Sequence, residues 1–248
     1  MNPTERKRPW RHIVRNAAGT ALVIAALALW MPYFVRAFVC DQFVVPSESM
    51  LPTLIPGDRI LVNKLIAGAR IYRSFDFAEG APLRSFRLPG LRKVRVNDVV
   101  VFNVPHGYDR DRIEFRINYV YAKRCVGTPG DSVSIRNGYL RNNRHEGPVG
   151  DRERQRQLAE TPDSAIPPTV LRAMPFDDSL FGWTIRNLGP LYVPRAGAKI
   201  ALDLRNFRLY KPLVEYETGG SLSFDGRTAR LDGKPLADYV FRKNYYFF

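Results

Sequence analysis

Histidine is scarce in this 248-residue chain, with residues only at positions 12, 106 and 145. None stands in a metal-ligand spacing, and neither H-E-x-x-H nor G-x-S-x-G occurs. A metal-dependent hydrolase and a histidine-assisted serine hydrolase are thereby left without support. His106, in "NVPHGYD", reads as a turn residue, and no metal or organic cofactor is required. Cysteine is scarcer still: Cys40 and Cys125 are the only two. They could pair in an oxidising compartment, but their spacing indicates no disulfide framework, and two small buried thiols are the expected state. The sequence also has no internal repeat, no heptad pattern and no low-complexity tract.

Acidic residues are the minority charge, with 24 Asp and Glu against 38 Lys and Arg, so the formal charge is +14 and the pI about 10.1. Such a balance suits nucleic acid, anionic lipid or another acidic partner. Part of it has a membrane explanation. Arg6, Lys7, Arg8, Arg11 and Arg15 stand against Glu5 ahead of a run without formal charge at 16–35, "NAAGTALVIAALALWMPYFV". Twenty helical residues rise about 30 Å, the thickness of a bilayer's hydrocarbon core. The exit, "PYFVRAFVC", lacks the small-x-small ending of a cleaved signal peptide, and Trp30 and Tyr33 suit the interface. An uncleaved anchor is expected, with 1–15 cytoplasmic, a transmembrane helix over 16–36, and 37–248 outside. Membrane lipid is then a partner, and no nucleic acid is expected.

Beyond the anchor the pattern is that of a β protein. Short runs rich in Val, Ile, Phe and Tyr at 43–45, 58–62, 94–104 and 118–126 are bounded by Pro, Gly and Asn. Asn137-Gly138 and Asp232-Gly233 each separate two such runs and read as tight hairpins, since Gly takes the positive φ these turns need. Residues 67–95 and 142–168 look like inserted solvated loops, the second with room for a short surface helix. Residues 203–217 read as a helix broken near Pro212.

Without a histidine base, a serine can be activated by a neutral amine, and Lys123 in "INYVYAKRCVGTPGD" is the candidate. Alternation places Tyr119, Tyr121, Lys123 and Cys125 on one face, and an apolar setting disfavours the ammonium form. The partner hydroxyl is Ser49, in "VVPSESMLPTLIPGDRILVNK". Pro46 and Pro52 restrict φ on both sides, so Ser49 is presented on a stiff turn. Ser47 can direct its hydroxyl to the same carbonyl, forming an oxyanion hole with the Ser49 N–H.

Together, "PSESMLPTLIPGD" and "YVYAKRCVGTPGD" resemble the bacterial type I signal peptidases, membrane-anchored Ser-Lys endopeptidases that remove secretory signal peptides. "RVNDVVVFNVP", with Asn97 where Gly is commoner, and "NLGPLYVPRAG" extend the similarity. The resemblance implies Ser49 as nucleophile, Lys123 as general base and Ser47 as oxyanion donor. It implies Met50, Pro52, Asp58, Arg124, Gly130 and Asp131 as residues that shape the site. Substrates would be signal-peptide-bearing preproteins, held extended between 42–45 and 118–122. Val45, Met50, Leu54, Ile60, Tyr121 and Ala122 are candidate pocket residues for small side chains. The implied fold is mostly β, with coiled antiparallel sheets forming a partial barrel and a β-rich insertion at about 137–230. The family carries a further motif, Gly-Asp-Asn-x-x-x-Ser-x-Asp-Ser-Arg, which this sequence does not contain; it ends "DYVFRKNYYFF". A truncated chain is therefore expected, in which Lys123 lacks one orienting partner. Peptide binding without turnover is the alternative activity.

Overall fold

The computed structural model describes residues 8–73, 85–104, 113, 119–173 and 179–248. The turn reading of His106, the beginning of the expected 118–126 strand and part of the expected 67–95 loop lie outside the described residues. The chain divides into two compact units, each with its own internal packing.

The first unit comprises residues up to Pro46, Pro56–Arg73 and Ser85–Lys93. Helix α1 (Arg8–Phe34) continues into one π-helical stretch, Val35–Val39. Within them, Arg15–Val39 is long and apolar enough to cross a membrane, and none of it is buried in protein. Strand β1 (Cys40–Val44) follows without a linker and pairs antiparallel with β2 (Arg59–Asn63), Cys40 opposite Asn63 and Val44 opposite Arg59. Asp41 fastens the helix exit to this hairpin. Its carboxylate accepts from Arg36 Nε at 3.2 Å and from Lys64 Nζ at 3.0 Å, while Lys64 also donates to the Arg36 carbonyl at 2.7 Å. Asn63 caps the short helix α2 (Lys64–Ala67), accepting from the Leu65 N–H. The segment expected as loop contains a hairpin, β3 (Arg70–Tyr72) with β4 (Ser85–Arg87). Its composition hid it: the pairing rests on short Ile71–Phe86 complementarity inside an Arg-rich stretch.

The second unit holds 47–55 and most of the chain from Val94 onward. Strands β5 (Val99–Asn103) and β6 (Val120–Arg124) pair antiparallel, with Val100 opposite Lys123 and Phe102 opposite Tyr121. The next sheet is ordered β8-β7-β9, from β7 (Ser132–Arg136), β8 (Tyr139–Asn142) and β9 (Leu188–Tyr192). Between β7 and β8, Asn137 and Gly138 have φ of 51° and 84°, the left-handed values that the tight hairpin demands. Helix α3 (Arg152–Glu160) is the surface helix the second inserted segment allowed, started by Asp151, which accepts from the N–H groups of Glu153 and Arg154. A single turn, α4 (Pro168–Leu171), follows.

Toward the C-terminus, β10 (Lys199–Ala201) pairs with β14 (Asp238–Val240), and β11 (Leu222–Phe224), β12 (Ala229–Leu231) and β13 (Lys234–Pro235) make a small meander. Helix α5 (Leu204–Thr218) runs unbroken through Pro212, contrary to the expected interruption. An internal proline costs roughly 3 kcal/mol. Phe207, Tyr210 and Val214 are all buried on one face of α5. At about 1.5–3 kcal/mol for each large apolar side chain, that burial outweighs the proline. They join Leu202, Leu222 and Phe241 in the main core. The sheets are small, antiparallel and separate, and no closed barrel forms among the described residues.

Candidate active site

Ser47 is extended, with φ −142° and ψ 161°, and the chain then tightens into one 3-10 turn at Glu48–Met50. The Leu51 N–H donates to the Glu48 carbonyl at 3.0 Å and the Leu54 N–H to the Met50 carbonyl at 3.0 Å, so the segment is braced from within. Met50 is buried, whereas Ser47 and Ser49 are exposed. Burial of the methionine turns the serine hydroxyls outward.

Lys123 lies on β6, and its Nζ is hydrogen-bonded to Ser49 Oγ across 74 positions of sequence. The Ser47 and Ser49 hydroxyl oxygens are 3.3 Å apart, a long contact for two hydroxyls. Burial holds the Lys123 amine below the ordinary lysine range. The Tyr121 ring, on the same face of the strand, has its centroid 5.6 Å from Nζ. That ring attracts a cation. The net direction is nevertheless downward, because water is the stronger solvent for an ammonium and the strand face withholds part of it.

The neighbouring residue holds the same segment from a second point. Arg124 donates through Nη2 to Thr53 Oγ1 at 2.7 Å and through Nη1 to the Asn97 carbonyl at 3.0 Å. Asn97 has φ 73°, which explains the Gly commoner there in the resembled motif: Asn is among the few other residues that tolerate this backbone. Its side chain gains further contacts, donating to the Pro148 carbonyl and accepting from the Gly150 N–H.

The "GTPGD" stretch after β6 is a turn with Pro129 and Gly130 at its centre and Gly130 at φ 95°, as a type II turn requires. Asp131 is 3% exposed. Its carboxylate accepts from the Thr128 N–H, the Thr128 hydroxyl and Asn142 Nδ2, all at 2.8 Å. Asn142 also donates to the Val126 carbonyl at 3.0 Å. Cys125 is fully buried, and burial pushes its thiol up to about 11. Both cysteines are free thiols, but only Cys125 has the expected burial, Cys40 being half-buried.

The structure thus brings Ser47, Ser49 and Lys123 together, with Arg124, Gly130 and Asp131 supporting the strand and its following turn. Met50 and Pro52 belong to the serine segment, and Leu54 closes it. Val45, Asp58 and Ile60 belong to the first unit, where the Val45 N–H donates to the Asp58 carbonyl. Tyr121 and Ala122 are adjacent on β6 and so face opposite sides. Only Tyr121 shares the Lys123 face. Sequence reasoning missed Thr53 and Asn142. Thr53 carries no spacing signal, and Asn142 stood at the start of a stretch that reads as a solvated loop although it is 8% exposed. Among the described residues, no group of three or more His, Cys, Asp or Glu side chains is arranged to hold a metal.

A serine bonded to a partly desolvated lysine is the pairing that hydrolysis of the Ser-Lys type requires. The chain belongs to the family "Signal peptidase, peptidase S26", whose model matches residues 15–177, more than half of the chain and inclusive of Ser49 and Lys123. Among curated proteins it is 36% identical over 102 residues to "Signal peptidase I" of Buchnera aphidicola, covering 41% of this chain and 27% of that protein. It is 36% identical over 105 residues to "Signal peptidase I" of Pseudomonas aeruginosa, covering 42% and 30%. With "Probable signal peptidase I-1" of Synechocystis the identity is 28% over 137 residues, 53% of each. The matched stretch therefore spans between about a quarter and about half of the length of these relatives.

Proposed function

We propose that the protein is a membrane-anchored serine endopeptidase that cleaves N-terminal signal peptides from exported preproteins. The observation that carries this reading is the hydrogen bond between Lys123 Nζ and Ser49 Oγ, with the amine below its usual pKa range for want of water. A neutral amine has a lone pair for the hydroxyl proton, which an ammonium lacks.

In the proposed reaction, Lys123 takes the Ser49 proton as Oγ attacks the scissile carbonyl carbon. Negative charge develops on the carbonyl oxygen, and the Ser47 hydroxyl and the Ser49 N–H supply hydrogen bonds to it. The C–N bond then breaks, and the Lys123 ammonium returns its proton to the leaving amine, the new N-terminus of the mature protein. The signal peptide remains as an ester on Ser49. Water, deprotonated by the neutral Lys123, adds to that ester; the bond from carbon to Ser49 Oγ then breaks, the Lys123 ammonium returns the proton to Oγ, and the signal peptide leaves with a free carboxyl terminus.

An extended substrate pairing along β6 would alternate its side chains, so two positions separated by one residue would meet the enzyme together. Small pockets at those positions select an Ala-x-Ala ending. The serine motif follows the anchor closely in sequence, which suits a signal peptide that is delivered in the bilayer with its cleavage point emerging at the surface. The basic residues ahead of the uncharged run at 16–35 favour a cytoplasmic N-terminus and so a peptidase on the outer side of a bacterial plasma membrane.

The test is incubation of the purified chain, in detergent or liposomes, with a preprotein, followed by N-terminal sequencing of the product. A new N-terminus immediately after the small-x-small sequence is expected, and bulky residues at those two positions should abolish it. Retention of intact preprotein bound to the chain would overturn the hydrolase reading in favour of peptide capture without turnover.

A further inference from the structure

Glu217 is the penultimate residue of α5. A carboxylate in the last turn of a helix is opposed by the helix dipole. Four donors offset that cost. Its Oε2 accepts from the Tyr239 hydroxyl at 2.8 Å and the Arg242 N–H at 2.7 Å, and its Oε1 from the Lys243 N–H and the Tyr245 hydroxyl, both at 2.9 Å. Three of these donors belong to one short segment, 242–245.

That segment leads directly to the strand of the lysine. The Phe247 N–H donates to the Gly127 carbonyl at 2.9 Å, and the Phe247 carbonyl accepts from the Val126 and Gly127 N–H groups at 2.8 and 3.1 Å. Gly127 permits this approach, since a Cβ there would press on Val133, Val193 and Phe247. One residue further, the Phe248 ring stacks on Phe102 with centroids 4.5 Å apart. Phe102 is opposite Tyr121, so Phe102, Tyr121 and Lys123 share one face of the β5–β6 pair.

We propose that Glu217 is a positioning residue for the Ser49–Lys123 pair, acting by holding residues 242–248 against the end of the lysine strand. The inference deepens the peptidase reading and rests on it for its catalytic consequence. Glu217 touches neither substrate nor the reacting atoms; it fixes a backbone segment that fixes a strand. Tyr239 and Tyr245 remain donors throughout, because burial first and the Glu217 contact second push both phenols well above the ordinary tyrosine range. Among the described residues, the Ser49 hydroxyl from the serine segment and the Tyr121 ring from its own strand approach the Lys123 amine, and the Tyr119 phenol precedes them on that strand face. From β5, that face presents Val100 and Phe102, which do not titrate. The C-terminal segment brings Phe248 and, beside it, the Tyr246 phenol. Loosening the segment admits water to this face and favours the ammonium.

The experiment compares the wild-type chain with Glu217→Gln and Tyr245→Phe. Each is measured for kcat and KM on a preprotein across pH and for direct titration of the Lys123 amine by NMR of labelled lysine, assigned with Lys123→Met. Glu217→Gln is expected to lower kcat at neutral pH by on the order of tenfold or more, with KM little changed. The amine should titrate at higher pH, and the acid limb of kcat should move with it. Tyr245→Phe, which removes one donor of four, should fall between, and it carries the test if Glu217→Gln does not fold. An amine titration that coincides with the wild type in both variants would overturn the proposal and leave Glu217 a structural residue. Absence of cleavage by the wild type would instead defeat the peptidase reading, while the amine titration would still decide the role of Glu217.

Discussion

Ser49→Ala and Lys123→Met are each expected to reduce cleavage by a factor on the order of 10⁴ or more, and the double variant to lose nothing further. In the proposed reaction the two side chains perform one step, so removing either should remove all of it. Without the hydroxyl there is no nucleophile. Without the amine, the hydroxyl keeps its proton at neutral pH. Lys123→Arg should be as inactive as Lys123→Met, because a guanidinium stays protonated and cannot serve as a base. Initial rates on a preprotein at saturating concentration check this. Losses that multiply in the double variant would show that the two residues act separately.

The second large effect concerns stability. Asp131→Ala is expected to cost about 3 kcal/mol, a fall in Tm of roughly 6–12 °C. The carboxylate is buried and is the shared acceptor for Thr128 and Asn142. Its removal strands the buried Asn142 amide and two partly buried Thr128 donors, which costs more than the loss of an exposed bond. Asp131→Asn should cost less, since one acceptor oxygen and the shape survive. Thermal unfolding of the full chain in detergent measures both. Equal Tm values for wild type and Asp131→Ala would mean that the turn after β6 is held by its backbone bonds alone.

Much of this fold is legible in the sequence where a local rule has a single solution. Asn137-Gly138 and Asp232-Gly233 specify left-handed turns, and both pairs adopt them. The uncharged run after Arg15 specifies one long apolar helix, and α1 supplies it. Legibility fails where a tertiary contact overrides the local signal. Pro212 predicts a break, but the buried face of α5 carries the helix through it. The β3–β4 pair lies in a stretch whose arginines resemble a loop. In the site, the residue types and motif context identify Ser49 and Lys123, whereas no periodicity closes the 74 positions between them. Thr53, Asn142 and Glu217 are harder to read because each matters through one partner distant in sequence. A lone Thr, Asn or Glu in a polar stretch has no pattern to distinguish it.

The proposed hydrolysis requires Lys123 to be neutral when it meets Ser49, and the pH dependence of its charge tests that directly. Its folded pKa is lowered by burial, so the amine is charged in acid and becomes a base as pH rises through that lowered value. The decisive measurement follows the Lys123 titration and the rate of signal-peptide cleavage on the same wild-type preparation. Both should rise over one pH interval that lies below the ordinary lysine value of about 10.4. An amine that remains protonated throughout the pH range in which cleavage is already maximal would contradict the account.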